Sequence, residues 1–78
     1  MITVLATLSP EDLERYRRAD SRYLALQTNP RAFDAEVSER IVYEWFVLSG
    51  ELFEKYGGDR DERWRISSTD GTLYYVDN

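Results

Sequence analysis

From Pro30 to Tyr56 the apolar positions recur at helical spacing. Phe33, Val37, Ile41, Trp45, Leu48, Leu52 and Tyr56 form one row, and Val42, Phe46 and Phe53 form a second beside it. At about 100° per residue the two rows together span roughly 180° of a helical wheel, whereas a surface helix needs an apolar stripe of only about 100°. The pattern predicts one helix over 31–56, covered from two directions. Upstream, Ser9-Pro10-Glu11-Asp12 is a helix start: Ser9 suits the cap, Pro10 the first helical position, and the two acids the positive end of the helix dipole. This first helix is expected to run to about Gln27, along a stripe of Leu13, Tyr16, Ala19, Tyr23 and Leu24. Thr28-Asn29-Pro30 ends it, with Asn29 as the expected cap of the next helix, and so short a connection makes the two helices antiparallel.

Gly57-Gly58 closes the second helix, and the solvated run Asp59-Arg60-Asp61-Glu62-Arg63 leads to a stretch where the period drops to two. Trp64, Ile66, Leu73 and Tyr75 alternate against Arg65, Tyr74 and Val76, around Asp70-Gly71. A two-residue Asp-Gly turn pairs Thr69 with Thr72, Ser68 with Leu73, Ile66 with Tyr75 and Arg65 with Val76. Trp64, Ile66, Leu73 and Tyr75 then share the face turned to the core. An isolated hairpin is marginal, so it is expected to pack on the second helix and to gain a third strand from Ile2 to Leu8. A competing pattern makes Ile41–Leu48 a strand that turns back at Ser49-Gly50. The helical rows nevertheless cross Gly50 without a phase break, and Gly57-Gly58 is the better terminator. The expected fold is α+β: an antiparallel helix pair with a C-terminal β-hairpin packed on the second helix and a short N-terminal strand, in one domain of 78 residues.

Composition narrows the chemistry. The chain has no Cys and no His, which removes disulfides, thiolate sites and the usual ligands of zinc, copper and haem. No cofactor is expected. Asp59, Asp61 and Glu62 lie near two glycines, but an EF-hand loop would need Gly and Glu where this chain has Trp64 and Asp70, and Arg60 and Arg63 neutralise the cluster. The N-terminus lacks the basic leader and cleavage site of a signal peptide, and no apolar stretch approaches the ~20 residues of a membrane span; a cytoplasmic protein is expected. Asp20, on the apolar stripe of the first helix, reads as a rim carboxylate satisfied by Arg17 or a Tyr hydroxyl rather than as a general acid, because no second catalytic group can be placed beside it.

Charge is unevenly spread. Arg15, Arg18 and Arg22 form a basic ridge on the first helix, while Glu36, Glu39, Glu44, Glu51 and Glu54 crowd the second. Glu11 and Glu14 support Arg15 and Arg18 at i,i+4, and Arg22 has no such partner on its own helix. With a net charge of −5, nucleic acid is not the expected partner, although a small transcriptional regulator or an acidic nucleic-acid decoy is the alternative that the ridge and the acidity suggest. Tyr43 and Val47 lie one turn apart on the acidic side of the second helix, with Gly50 next to them. An exposed aromatic beside a small residue permits close approach of another surface, and aromatics concentrate at interface centres. Arg65, Tyr74 and Val76 form a second such group on the outer hairpin face. The expected function is therefore that of a non-enzymatic protein-interaction module, binding a protein partner or itself as a homo-oligomer through the second helix and the hairpin.

Overall fold

A computed structural model of the protein describes residues 2–76. Its order is β1 (Ile2–Thr7), α1 (Pro10–Thr28), a 3-10 turn (Pro30–Ala32), α2 (Ala35–Lys55), β2 (Trp64–Ile66) and β3 (Thr72–Val76). The three strands form one antiparallel sheet in the order β1-β3-β2, and the antiparallel helix pair lies on one face of it. The class is α+β, and Ile41–Leu48 is helical.

Local chemistry accounts for most boundaries. The Asp12 N–H donates to Ser9 Oγ at 3.2 Å, with Pro10 in the first turn, so α1 begins where its cap dictates. The start of α2 differs from expectation. Asn29 makes no side-chain cap, Phe33 is extended, and Asp34 instead accepts from the Val37 N–H at 2.9 Å. The 3-10 turn after Pro30 uses up the residues that Asn29 would have capped, and Asp34 is the next side chain able to bond the free amides. At the other end Gly57 takes φ +88, its N–H reaches the Glu54 carbonyl at 2.9 Å, and the Gly58 N–H reaches that of Phe53 at 2.9 Å. This pairing satisfies the last carbonyls of α2 and turns the chain sharply back towards the sheet.

The hairpin register is two residues shorter than the sequence suggests: Ile66 pairs with Leu73, Arg65 with Tyr74 and Trp64 with Tyr75. Ser68–Gly71 is a four-residue turn, closed by Ser67 and Thr72, with Gly71 at φ +78. Two side chains hold it open. Asp70 accepts from the Thr72 N–H at 3.0 Å, and Arg17 reaches from α1 to the Ser68 carbonyl at 2.8 Å and the Thr69 carbonyl at 2.5 Å. A slip of two preserves the faces, so Trp64, Ile66, Leu73 and Tyr75 still point inward.

The core is small and lies at one end of the helix pair. Leu8, Tyr16, Leu52, Phe53 and Leu73 are buried together, and Phe53 stacks on Trp64 at 4.7 Å and meets Tyr75 edge-on at 5.3 Å. The expectation that α2 is covered from two directions holds only for its C-terminal half. Towards the other end the helices pack on each other, burying Leu26 and Ile41, and α1 also meets the 3-10 turn, while the sheet touches α2 only at the cleft beside Trp45 and Phe46. Val37, Val42, Tyr43 and Phe46 are consequently exposed, as is Leu24 on α1.

Candidate interaction surface

Two clamps hold the helices together. At the sheet end Asp12 is buried, and its Oδ2 accepts from Lys55 Nζ at 2.8 Å and from the Tyr56 hydroxyl at 2.9 Å. The Ser9 N–H in turn donates to the Tyr56 oxygen at 2.8 Å. The Lys55 ammonium holds the Asp12 carboxyl below its ordinary value, outweighing the opposing effect of burial, with the Tyr56 hydroxyl adding to it. A depressed carboxyl pKa stabilises the fold above the unfolded value, near pH 4, and that contribution fades as pH falls through the folded value. The melting temperature of Asp12→Asn is accordingly expected to lie several degrees below that of the parent protein at neutral pH, with the gap closing below pH 4 in thermal melts. A gap that stays constant to pH 2 would remove the ion pair from the account.

At the far end Trp45 stacks on Tyr23, centroids 4.1 Å apart and 5° from parallel, and its Nε1 donates to Asp20 Oδ1 at 3.1 Å. The Tyr16 hydroxyl approaches the same oxygen at 3.5 Å. Asp20 is thus an acceptor bridging α1 and α2, while Arg17 is committed to the hairpin turn. Burial, and then the Asp20 charge, push the Tyr16 phenol up to about 12. A phenol so raised keeps Tyr16 a neutral donor under ordinary conditions.

The basic ridge faces α2 across a groove of about 360 Å³ that Arg15, Arg18 and Arg22 line with Tyr43, Val47 and Glu51. All three arginines already hold carboxylates: Arg15 reaches Asp12 at 3.5 Å, Arg18 reaches Glu14 at 2.7 Å, and Arg22 reaches Glu44 of α2 at 3.1 Å. The partner that Arg22 lacks on its own helix is supplied by the other.

Tyr43 stands 69 % exposed and Val47 half-buried at the edge of this groove. Gly50 is not an open notch beside them. The Arg60 side chain lies directly over it, anchored to Glu54 at 2.9 Å, so the close approach that Gly50 permits is made within the chain. On the other flank of Tyr43, Val42 and the 60 % exposed Phe46 extend the apolar surface, and Phe46 runs on into a cleft of about 310 Å³ with Tyr16, Trp45, Trp64 and Arg65. Val42 and Phe46 belong to the second apolar row of the helix; the sequence shows the row but not that the sheet covers it at Phe53, only skirts it at Phe46 and leaves Val42 exposed.

Arg65 is brought to this cleft, its Nη1 donating to the Trp64 carbonyl at 3.1 Å. Tyr74 and Val76 lie apart from it, half-buried on the sheet face turned away from the helices. There they pair with Val4 and Ile2 of β1, two residues that enlarge the outer patch and that only the sheet order reveals. Among the described residues no three Asp or Glu side chains converge to hold a metal ion, and no helix is long and apolar enough to cross a membrane. The chain matches no protein-family model, no curated protein and no solved structure.

Proposed function

We propose that this protein is a non-enzymatic interaction module, a cytoplasmic accessory or regulatory protein that binds a protein partner or a second copy of itself. The observation that supports this reading is the apolar strip of Val42, Tyr43 and Phe46 on the half of α2 that the sheet leaves uncovered. Two aromatics more than half exposed on adjacent turns of one rigid helix are costly to leave in water and match the composition of interface centres. The strip sits between the Arg22–Glu44 pair and a mixed group of Glu36, Glu39 and Arg40, which gives it a polar rim. The alternative of a nucleic-acid-associated regulator is weakened, because its three arginines are already paired with carboxylates and duplex binding would have to break those pairs against an acidic background.

Tyr43→Glu and Phe46→Glu are expected to change stability by no more than about 0.5 kcal/mol, since both side chains project outward. The same substitutions should abolish capture of the partner in pull-downs compared with the parent protein. Capture that survives both, together with Tyr74→Glu on the outer sheet face, would overturn the proposal.

A further inference from the structure

Among the described residues the sheet has two edges without a partner strand, and they are treated differently. At β2 the edge is three residues long, and Arg65 folds its guanidinium onto the outward Trp64 carbonyl. A charged side chain seated on a short strand is a common way of blunting an edge. At β1 no charged side chain among the described residues bonds the backbone of residues 2–4, although Asp59 and Glu62 line a hollow beside Thr3 on the inner face. The whole strand, Ile2-Thr3-Val4-Leu5-Ala6-Thr7, carries no charge and no proline in a protein of net charge −5.

Register decides which groups that edge presents. Ser67 N–H bonds the Thr72 carbonyl and Val76 N–H bonds the Arg63 carbonyl, so the even-numbered residues of β3 turn their polar groups to β2. Tyr75 therefore bonds β1, through its partner Thr3, and the N–H and C=O groups of Ile2 and Val4 point outward. Their side chains lie 63 % and 61 % exposed on the outer face, beside Tyr74 and Val76. The register breaks only after Val4, where a bulge allows Leu5 and Ala6 both to pack inward.

We propose that two copies of the chain associate by antiparallel pairing of β1 with β1, giving a continuous six-stranded sheet. The proposal rests on the self-binding arm of the reading above but assigns it to a different element. With a two-fold axis at Thr3, Ile2 of each copy faces Val4 of the other, and each such pair exchanges both backbone hydrogen bonds. Ile2 and Val4 of both copies then form one apolar cluster with Tyr74 and Val76. Charge selects a second copy for this edge rather than for α2. Self-pairing of α2 would bring Glu36, Glu39 and Glu44 against their own copies with Arg40 among them, whereas the β1 strands themselves carry no charge and bring only Asp59 and Glu62, beside Thr3, near their two-fold axis. So small an interface belongs to the weak, transient class, with a dissociation constant on the order of 10–100 μM.

Sedimentation velocity from low to high micromolar concentration is expected to show a reversible monomer–dimer equilibrium. Val4→Pro removes an N–H that the sheet does not use, and Val4→Lys adds a charge to the edge; both should weaken association about tenfold or more while circular dichroism stays native. Phe46→Glu should leave the dimer intact, which separates this interface from the α2 surface. In the parent protein, hydrogen exchange at the Ile2 and Val4 amides is expected to slow as concentration rises. A strict monomer at high micromolar concentration, a dimer indifferent to both Val4 variants, or Val4 amide exchange independent of concentration would each overturn the edge-paired dimer, and none would bear on partner capture through Tyr43.

Discussion

Phe53→Ala is expected to unfold the domain. Phe53 is completely buried, stacked on Trp64 and edge-on to Tyr75, so its ring ties α2 to both strands of the hairpin. Truncating a buried Phe to Ala costs about 3–5 kcal/mol. A chain of 78 residues has roughly 4–12 kcal/mol of stability in all, so the substitution removes about half of it in the middle of that range and essentially all of it at the low end. Gly58 makes the same point from the other side. A Cβ there would collide with the Phe53 ring, so the second glycine of the pair is demanded by packing, while the first is demanded by its positive φ. Urea titration followed by circular dichroism at low temperature checks the prediction, and a Phe53→Ala protein with a cooperative transition close to that of the parent would mean that the hairpin does not depend on this ring. Phe53→Leu, which keeps most of the volume, is expected to stay folded at a cost of about 1–2 kcal/mol.

The elements were legible wherever a local rule and a long period agreed. Ser9-Pro10 marks the start of α1 by cap chemistry alone, and the apolar rows of α2 cross Gly50 in phase because a buried glycine under Arg60 leaves the helix intact. The faces of the hairpin were equally readable, since alternation survives a slip of two. The slip itself was not, because it depends on Arg17, which lies 51 and 52 residues from the two turn carbonyls that it holds. The same limit hid the surface. Periodicity reports that a helix face is apolar, but which part of it the sheet reaches is set by the lengths of the strands and by the sharp return after Gly57. Hence Tyr43 was recognisable as a candidate, while its neighbours Val42 and Phe46 read as core. Asp12 looked like an ordinary first-turn acid for a related reason: its partners Lys55 and Tyr56 come from the far end of the other helix. Tertiary ion pairs leave no trace in local spacing.

Trp45 marks where that distinction has its largest measurable consequence after Phe53. Its place in the apolar row suggests a core residue, yet it sits half-buried on the seam of the two helices at the rim of the cleft beside β2, outside the buried cluster. What it supplies is the stack on Tyr23 and the indole N–H to Asp20. Trp45→Ala removes both and leaves the Asp20 carboxylate with only the long contact to Tyr16, for an expected cost of about 2–4 kcal/mol. Because this seam lies outside the buried cluster that the sheet completes, the damage should also be uneven. Amides of α1 after Asp20 and of α2 before Trp45 are expected to lose hydrogen-exchange protection well beyond the global change, while those around Leu52 and Phe53 follow the global change alone. Trp45→Phe keeps a ring to lie on Tyr23 and loses only the donor, so it should recover at least about half of the lost stability. If Trp45→Ala instead costs less than about 0.5 kcal/mol, or lowers protection equally throughout, the free ends of the helices are not held by this seam. The strip of Val42, Tyr43 and Phe46 would then lack the rigid support that a preorganised binding surface requires.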